Sequence, residues 1–335
     1  MRGVGNVLTL GVVALVALAG CSPGADEPVE EARGAIQGGA PDVRDAAVVG
    51  VVIADAEGHP RRACTGTLIA PNLVLTAQHC VASTAKSVDC ARSVFGAPAL
   101  PELVRITTSP SMWDRGVTWM RVDAVVVPPG PSSVCGRDVA LVVLQSPLSA
   151  LVSPLAPRLD DGVREDEPYA AVGYGASDGD GGDSGLRRRR DRLRVLCVGD
   201  ACDTRQVDDG EWRGDHGVCD GDSGGPALDG TGAVIGVTSR GPAGCERPIY
   251  GALAPHAGWL RAEARVAATM GGYGEPAWVS PPDAGDVHEA GADAHGSCCA
   301  SPSPSRDAWW SALAVAGLAA GWRRRRSACF RRGWQ

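Results

Sequence analysis

Aromatic side chains make up only 4% of this 335-residue chain, and lysine occurs once, at Lys86. Few aromatics beside 45 glycines exclude a molecule built from long helices and point to small side chains and many turns, an all-β composition. Basic charge is therefore almost all arginine, which by itself carries no function. The formal charge of −7 hides arginine clusters at Arg187 to Arg190 and Arg323 to Arg326, and no nucleic-acid partner follows from that balance. Long apolar runs are also missing. The stretches Val7 to Ala19 and Ala308 to Trp322 fall short of the roughly 20 residues a relaxed membrane helix needs. The 12 cysteines form no Cys-x-x-Cys and His clusters, which argues against structural zinc and for disulfides in an exported chain. No metal and no cofactor is expected.

Export is read from the N-terminus, where Met1-Arg2 precedes the Val7 to Ala19 stretch and a small-residue end, the pattern of a secretory signal over residues 1–20. Leu18-Ala19-Gly20-Cys21 resembles a bacterial lipoprotein box, which would make Cys21 a diacylated mature N-terminus. Ala17-Leu18-Ala19 equally fits an ordinary cleavage site with Cys21 unmodified. Residues 21–35 are Pro/Gly/acidic without periodicity, a linker or pro-segment. Short apolar, β-branched runs follow at Ala46 to Ala54, Leu68-Ile69, Leu73 to Leu75, Val122 to Val127, Val139 to Leu144, Arg194 to Val198 and Ala233 to Thr238. A Pro-rich stretch from Pro147 to Pro157 divides them, and Trp259 to Val266 suits a terminal helix. Ala176 to Gly185 reads as a mobile Gly/Asp loop without the pattern of a calcium site, leading into an exposed face at Arg187 to Arg190.

Three motifs carry chemistry. Gly221-Asp222-Ser223-Gly224-Gly225-Pro226 sets a serine hydroxyl among glycines that let the backbone turn sharply, which makes Ser223 a candidate nucleophile. A base must take its proton, and Thr76-Ala77-Gln78-His79-Cys80 supplies His79. Asp138, ahead of Val139-Ala140-Leu141, supplies a group to orient the imidazole; Asp123 competes for that place but precedes a plain strand.

The order His, Asp, Ser with these flanks resembles the chymotrypsin-like (trypsin-fold, S1) serine peptidases. The resemblance implies an all-β fold of two six-stranded antiparallel β-barrels with a C-terminal helix, over residues 36–268, the barrels at about 36–150 and 158–255. It implies His79 as general base, Asp138 as its orienting partner and Ser223 as nucleophile, with the N–H groups of Gly221 and Ser223 as the oxyanion hole. Ile36-Gln37-Gly38-Gly39 resembles the mature start of these enzymes, so cleavage before Ile36 would free an amine to pair with Asp222. Ala35 precedes it, not the usual Arg or Lys, which leaves the activating protease unidentified, and the Gly-Gly pair also fits a plain turn. Cys64 with Cys80 and Cys219 with Cys245 match two family bridges; elimination leaves Cys90 with Cys135 and Cys197 with Cys202. The pocket-base position is Gly217, which disfavours tryptic specificity, although Asp215 or Asp220 could supply charge from a rearranged loop. Val218, Ser239, Gly241 and Pro248 would line the pocket, Arg240 replaces the usual wall tryptophan, and small or medium apolar side chains are expected at the cleaved position.

Residues 269–297 read as a disordered spacer. Residues 298–335, with Cys298-Cys299, a short apolar segment and arginines, resemble a myxobacterial C-terminal sorting tail; the alternative is a disordered tail of accidental apolar content. The expected partners are protein or peptide substrates, an activating protease, and the sorting machinery and membrane through the termini, giving an exported, surface-associated protein. A catalytically silent binding module on the same fold and an esterase with the same triad are the alternatives.

Overall fold

The computed structural model describes residues 36, 39–148, 152–176, 184–202, 206–242 and 245–280. The signal segment, Cys21, the sorting tail and most of the Gly/Asp loop lie outside the described residues. Among the described residues the strands and α-helices follow one another as β1 (Ala40–Pro41), β2 (Val48–Ala54), β3 (Pro60–Ala70), β4 (Leu73–Thr76), α1 (Gln78–Val81), β5 (Val104–Thr107), β6 (Met120–Val126), β7 (Ala140–Leu144), β8 (Pro168–Gly173), β9 (Arg188–Val198), β10 (Glu211–Gly214), β11 (Pro226–Leu228), β12 (Val234–Arg240), β13 (Ile249–Ala252) and α2 (Ala257–Gly271). The first barrel closes in the order β2-β3-β4-β7-β6-β5, with β5 pairing back onto β2. The second runs β8-β9-β10-β13-β12-β11 and closes through β8 and β11, while β1 adds to β9. All these pairings are antiparallel, so the two-barrel, all-β expectation stands.

The apolar runs form strands because a small closed barrel buries the inward face of every strand and packs much of the outward face on its neighbour. Five of the seven residues of β2 are consecutively buried, as are all of β4 and β7. The first barrel's core, including Leu68, Leu75, Ile106 and Leu141, continues through Val172 and Val237 of the second barrel to Leu260 and Ala264 of α2. The second barrel concentrates the scarce aromatics. Trp212 stacks on Tyr250 with centroids 4.1 Å apart, and Tyr169 meets both edge-on. Ile36 is fully buried against this group.

Two expectations are corrected. Folded chain extends past 268: α2 runs to Gly271, and beyond it Trp278 Nε1 donates to Ile69 O at 3.0 Å, Tyr273 OH donates to Asn72 Oδ1 at 2.6 Å, and Val279 is fully buried. Residues 269–280 are therefore part of the packed domain, because two aromatic residues and a valine seal one end of the first barrel. The arginine cluster is not an exposed face either. Arg187 is buried, ion-paired to Asp42 at 3.3 Å, and donates to Val48 O at 2.9 Å and Tyr174 OH at 3.1 Å. A guanidinium can be buried there because carbonyl and carboxylate oxygens satisfy it.

Candidate active site

His79 sits in α1, a single turn directly after β4, and the Cys64–Cys80 disulfide ties that turn to β3. A helix this short leaves its carbonyls without partners. Arg62 of β3 meets them, its Nη1 donating to the carbonyl of His79 and, at 3.2 Å, to that of Ala82. Asp138 enters from the loop before β7 and is 1% exposed. Its Oδ2 lies 2.7 Å from His79 Nδ1, and its Oδ1 accepts the His79 backbone N–H at 2.9 Å. Ser239 of β12 adds a hydroxyl donor to Oδ2 at 2.6 Å. Burial pushes the Asp138 carboxyl up, but the nearby His79 ring, its hydrogen bonds and the Ser239 hydroxyl outweigh this and hold it below the usual carboxylate range. The side chain is thus ionised, fixed and aimed at one ring nitrogen.

Ser223 lies in the tight turn between Cys219 and β11. Its carbonyl accepts the Thr65 N–H at 2.8 Å and sits 3.4 Å from Cys80 Sγ, which sets this turn against β3 and the histidine's own turn. Gly221 has φ +98°, and a Cβ there would lie 2.8 Å from Gly175 Cα; Gly224 has φ +82°, and its Cβ would lie 2.2 Å from Thr65 O. Only glycine meets both demands. The Thr65 hydroxyl donates to Gly221 O at 2.8 Å and accepts the Tyr174 N–H at 3.0 Å. Among the described residues no acceptor engages the N–H of Gly221 or of Ser223, so two donors next to the hydroxyl are left for an anion.

Asp222 is buried, and its carboxylate accepts from Gly175 N at 2.8 Å and Cys219 N at 2.9 Å. Burial pushes its pKa up to about 7, with those N–H groups and Arg188 opposing in part. Ile36 lies against Val218 in the second barrel's core.

Gly217, expected at the pocket base, has an arginine for its neighbour. A Cβ on Gly217 would lie 3.1 Å from Arg190 Nη1 and 3.5 Å from Ile36 Cγ2, so a guanidinium, not a carboxylate, borders the base. Arg190 Nη2 is 2.6 Å from His216 Nε2. Val218 and Pro248 are buried, Gly241 and Asp220 are exposed, and Asp215 Oδ1 accepts the His216 N–H at 2.9 Å. Ser239, expected along the pocket wall, turns its hydroxyl to Asp138 instead.

The sequence reading missed three contributors. Thr65 and Arg62 act through main-chain groups far along the chain, and no local pattern marks them. The third is Glu211, which is fully buried and forms a bidentate pair with Arg240, at 2.6 Å to Oε1 and 2.7 Å to Oε2. Arg240 Nη1 also donates to Ser239 Oγ at 3.1 Å, joining this pair to the Asp138 network. Among the described residues the disulfides are Cys64–Cys80, Cys90–Cys135, Cys197–Cys202 and Cys219–Cys245, the pairing expected. Cys64, His79 and Cys80 lie close enough to chelate a metal, but both sulfurs are committed to a disulfide and offer no thiolate.

Two closed barrels with a histidine–aspartate pair and a glycine-flanked serine at their seam define the class of the chymotrypsin-like serine peptidases. The trypsin family profile matches residues 36–260, and the chain belongs to that family. A trypsin from Saccharopolyspora erythraea is 28% identical over 218 residues, spanning 60% of this chain and 89% of that protein.

Proposed function

We propose that the chain is an exported serine endopeptidase that cleaves peptide bonds through an acyl-enzyme on Ser223. The observation that carries this reading is the doubly anchored His79–Asp138 pair, at 2.7 and 2.9 Å, beside a serine turn with two open N–H donors. His79 Nε2 removes the Ser223 proton as Oγ attacks the substrate carbonyl carbon. The resulting oxyanion is held by the N–H groups of Gly221 and Ser223, where one lost donor typically costs about 100- to 1000-fold in rate. The tetrahedral adduct collapses, its C–N bond breaks, and the leaving amine takes the proton from His79. Water then enters, gives its proton to His79 and attacks the acyl carbon; collapse returns the proton to Ser223 and frees the acid. Asp138 keeps Nδ1 protonated throughout and stabilises the imidazolium.

Cleavage before Ile36 is the activating step in this reading. An ammonium brought to the buried Asp222 carboxyl would draw its pKa down from about 7 and fix the turn carrying Gly221 and Ser223. Arg190 beside Gly217 supports non-tryptic specificity. The N-terminal signal, the lipid on Cys21 and the arginine-ended tail would place the enzyme at the cell surface until processing releases it. The experiment is turnover of a peptide panel, as amides and as esters, by the chain cleaved before Ile36. Amide hydrolysis that falls by about 10⁵-fold or more in Ser223→Ala is expected. Turnover of esters alone would make the protein an esterase, and none at all a binding module.

A further inference from the structure

One feature that the catalytic reading does not use is a cavity of about 620 Å³ in the first barrel, under the β2–β3 hairpin and the segment 112–119. Its volume falls among those of ordinary ligand sites. Neither the triad nor the oxyanion turn contributes to its lining. Its lining includes Met112, Trp113 and Trp119 together with the acidic Asp55, Glu102 and Asp114.

The aromatic wall is formed in advance. The two indoles are tilted by 43° with centroids 6.5 Å apart. Trp113 Nε1 donates to Ser184 O at 3.0 Å, and the ring lies so close over Gly185 that a Cβ there would come within 2.2 Å of Nε1. Trp113 is nonetheless 48% exposed, a costly placement for one of the few aromatics in the chain. The lining has surplus negative charge. Asp55 shares His59, at 3.5 Å, and Arg61, at 4.0 Å. Among the described residues no cationic group lies within 4.0 Å of Glu102 or Asp114. Arg105, the one cation in the lining, directs Nη1 to the carbonyls of Glu102 and Val104, at 2.6 and 2.9 Å.

We infer that this cavity is an exosite that takes an arginine side chain of a peptide partner. Indole faces attract a guanidinium through their quadrupole, and the planar group stacks on a ring while it donates to a carboxylate at its edge. An anion would meet unpaired carboxylates, and a neutral apolar group would gain nothing from their charge. The exosite is independent of the triad. It does lie close in bonding to the active-site seam, since Met112 N donates to Gly185 O and Gly185 N to Tyr174 O, both at 2.7 Å.

The test is calorimetric titration of the full chain carrying Ser223→Ala with acetyl-Ala-Arg-Ala-amide and with its citrulline counterpart, a neutral isostere. The arginine peptide should bind at least tenfold more tightly, and less tightly in 0.5 M salt. The variant Glu102→Gln/Asp114→Asn alters exposed side chains only, so its fold should persist, and it should lose the arginine preference. Trp119→Leu should weaken the arginine peptide at least fivefold. Equal affinity for both peptides, undiminished arginine binding in the carboxamide variant, or binding of a neutral saccharide in place of either peptide would overturn the inference. Because no turnover is measured, failure here is distinct from failure of the peptidase reading.

Discussion

At the scale of single residues, Asp138 is held by three donors at 2.6 to 2.9 Å, of which the Ser239 hydroxyl can be removed by itself. Ser239→Ala takes away the 2.6 Å hydroxyl and leaves the backbone in place. Asp138 then resists ionisation more and holds the imidazole less firmly, so kcat should fall about tenfold with KM little changed, roughly the worth of one hydrogen bond to a charged group. The stability consequence has a definite sign. A depressed folded-state pKa contributes stability that is present above the ordinary aspartate value near 3.8 and lost as pH falls through the folded value. With less depression in Ser239→Ala, acid unfolding should begin at higher pH, which urea titrations between pH 3 and 7 would measure. The His79–Asp138 pair was legible in the sequence because each residue carries its own flanking motif. Thr65 was not, since its task is to bond Gly221 and Tyr174, 156 and 109 positions away.

At the scale of elements, β10 and β12 meet through a buried ion pair, Glu211 with Arg240. The wall substitution at Arg240 was visible in the sequence; its partner Glu211, 29 positions earlier, was not, because nothing local marks a glutamate as buried. Arg240→Met leaves the fully buried Glu211 carboxylate without its counter-charge and should cost about 3–5 kcal/mol in denaturant unfolding. Adding Glu211→Gln removes the stranded charge and should recover part of that loss. If the single variant is as stable as the parent, the pair does not support β12. The same limit explains Arg187. A run of arginines reads as a solvated face, and only the folded chain brings Asp42, Val48 and Tyr174 around it. Strands, by contrast, were legible from continuous β-branched runs, and α2 over Trp259 to Val266 as the terminal helix that the family resemblance implies. Its extension to Gly271 and the packing of Trp278 were hidden by the Gly/Pro-rich composition around them.

At the scale of the whole molecule, the proposed activation turns on one buried carboxyl, that of Asp222. Asp222 of the uncleaved chain has a folded-state pKa of about 7 against 3.8 unfolded. Its contribution to stability is therefore fully present below about pH 3.8 and is lost as pH rises towards 7. Asp222→Asn cannot ionise, so the uncleaved variant should lack that decline, and melting curves at pH 5 and pH 8 would display the difference. Cleavage before Ile36 should abolish the decline in the parent as well, by supplying a cation to the ionised form.

The central claim is that Ser223, driven by His79, is the nucleophile. Intact-mass and peptide mapping after treatment with a fluorophosphonate, on the chain both uncleaved and cleaved before Ile36, tests it most directly. One adduct, on Ser223 of the cleaved chain and absent from His79→Ala, is the predicted result; no adduct on either form, or an adduct on another residue, would contradict it.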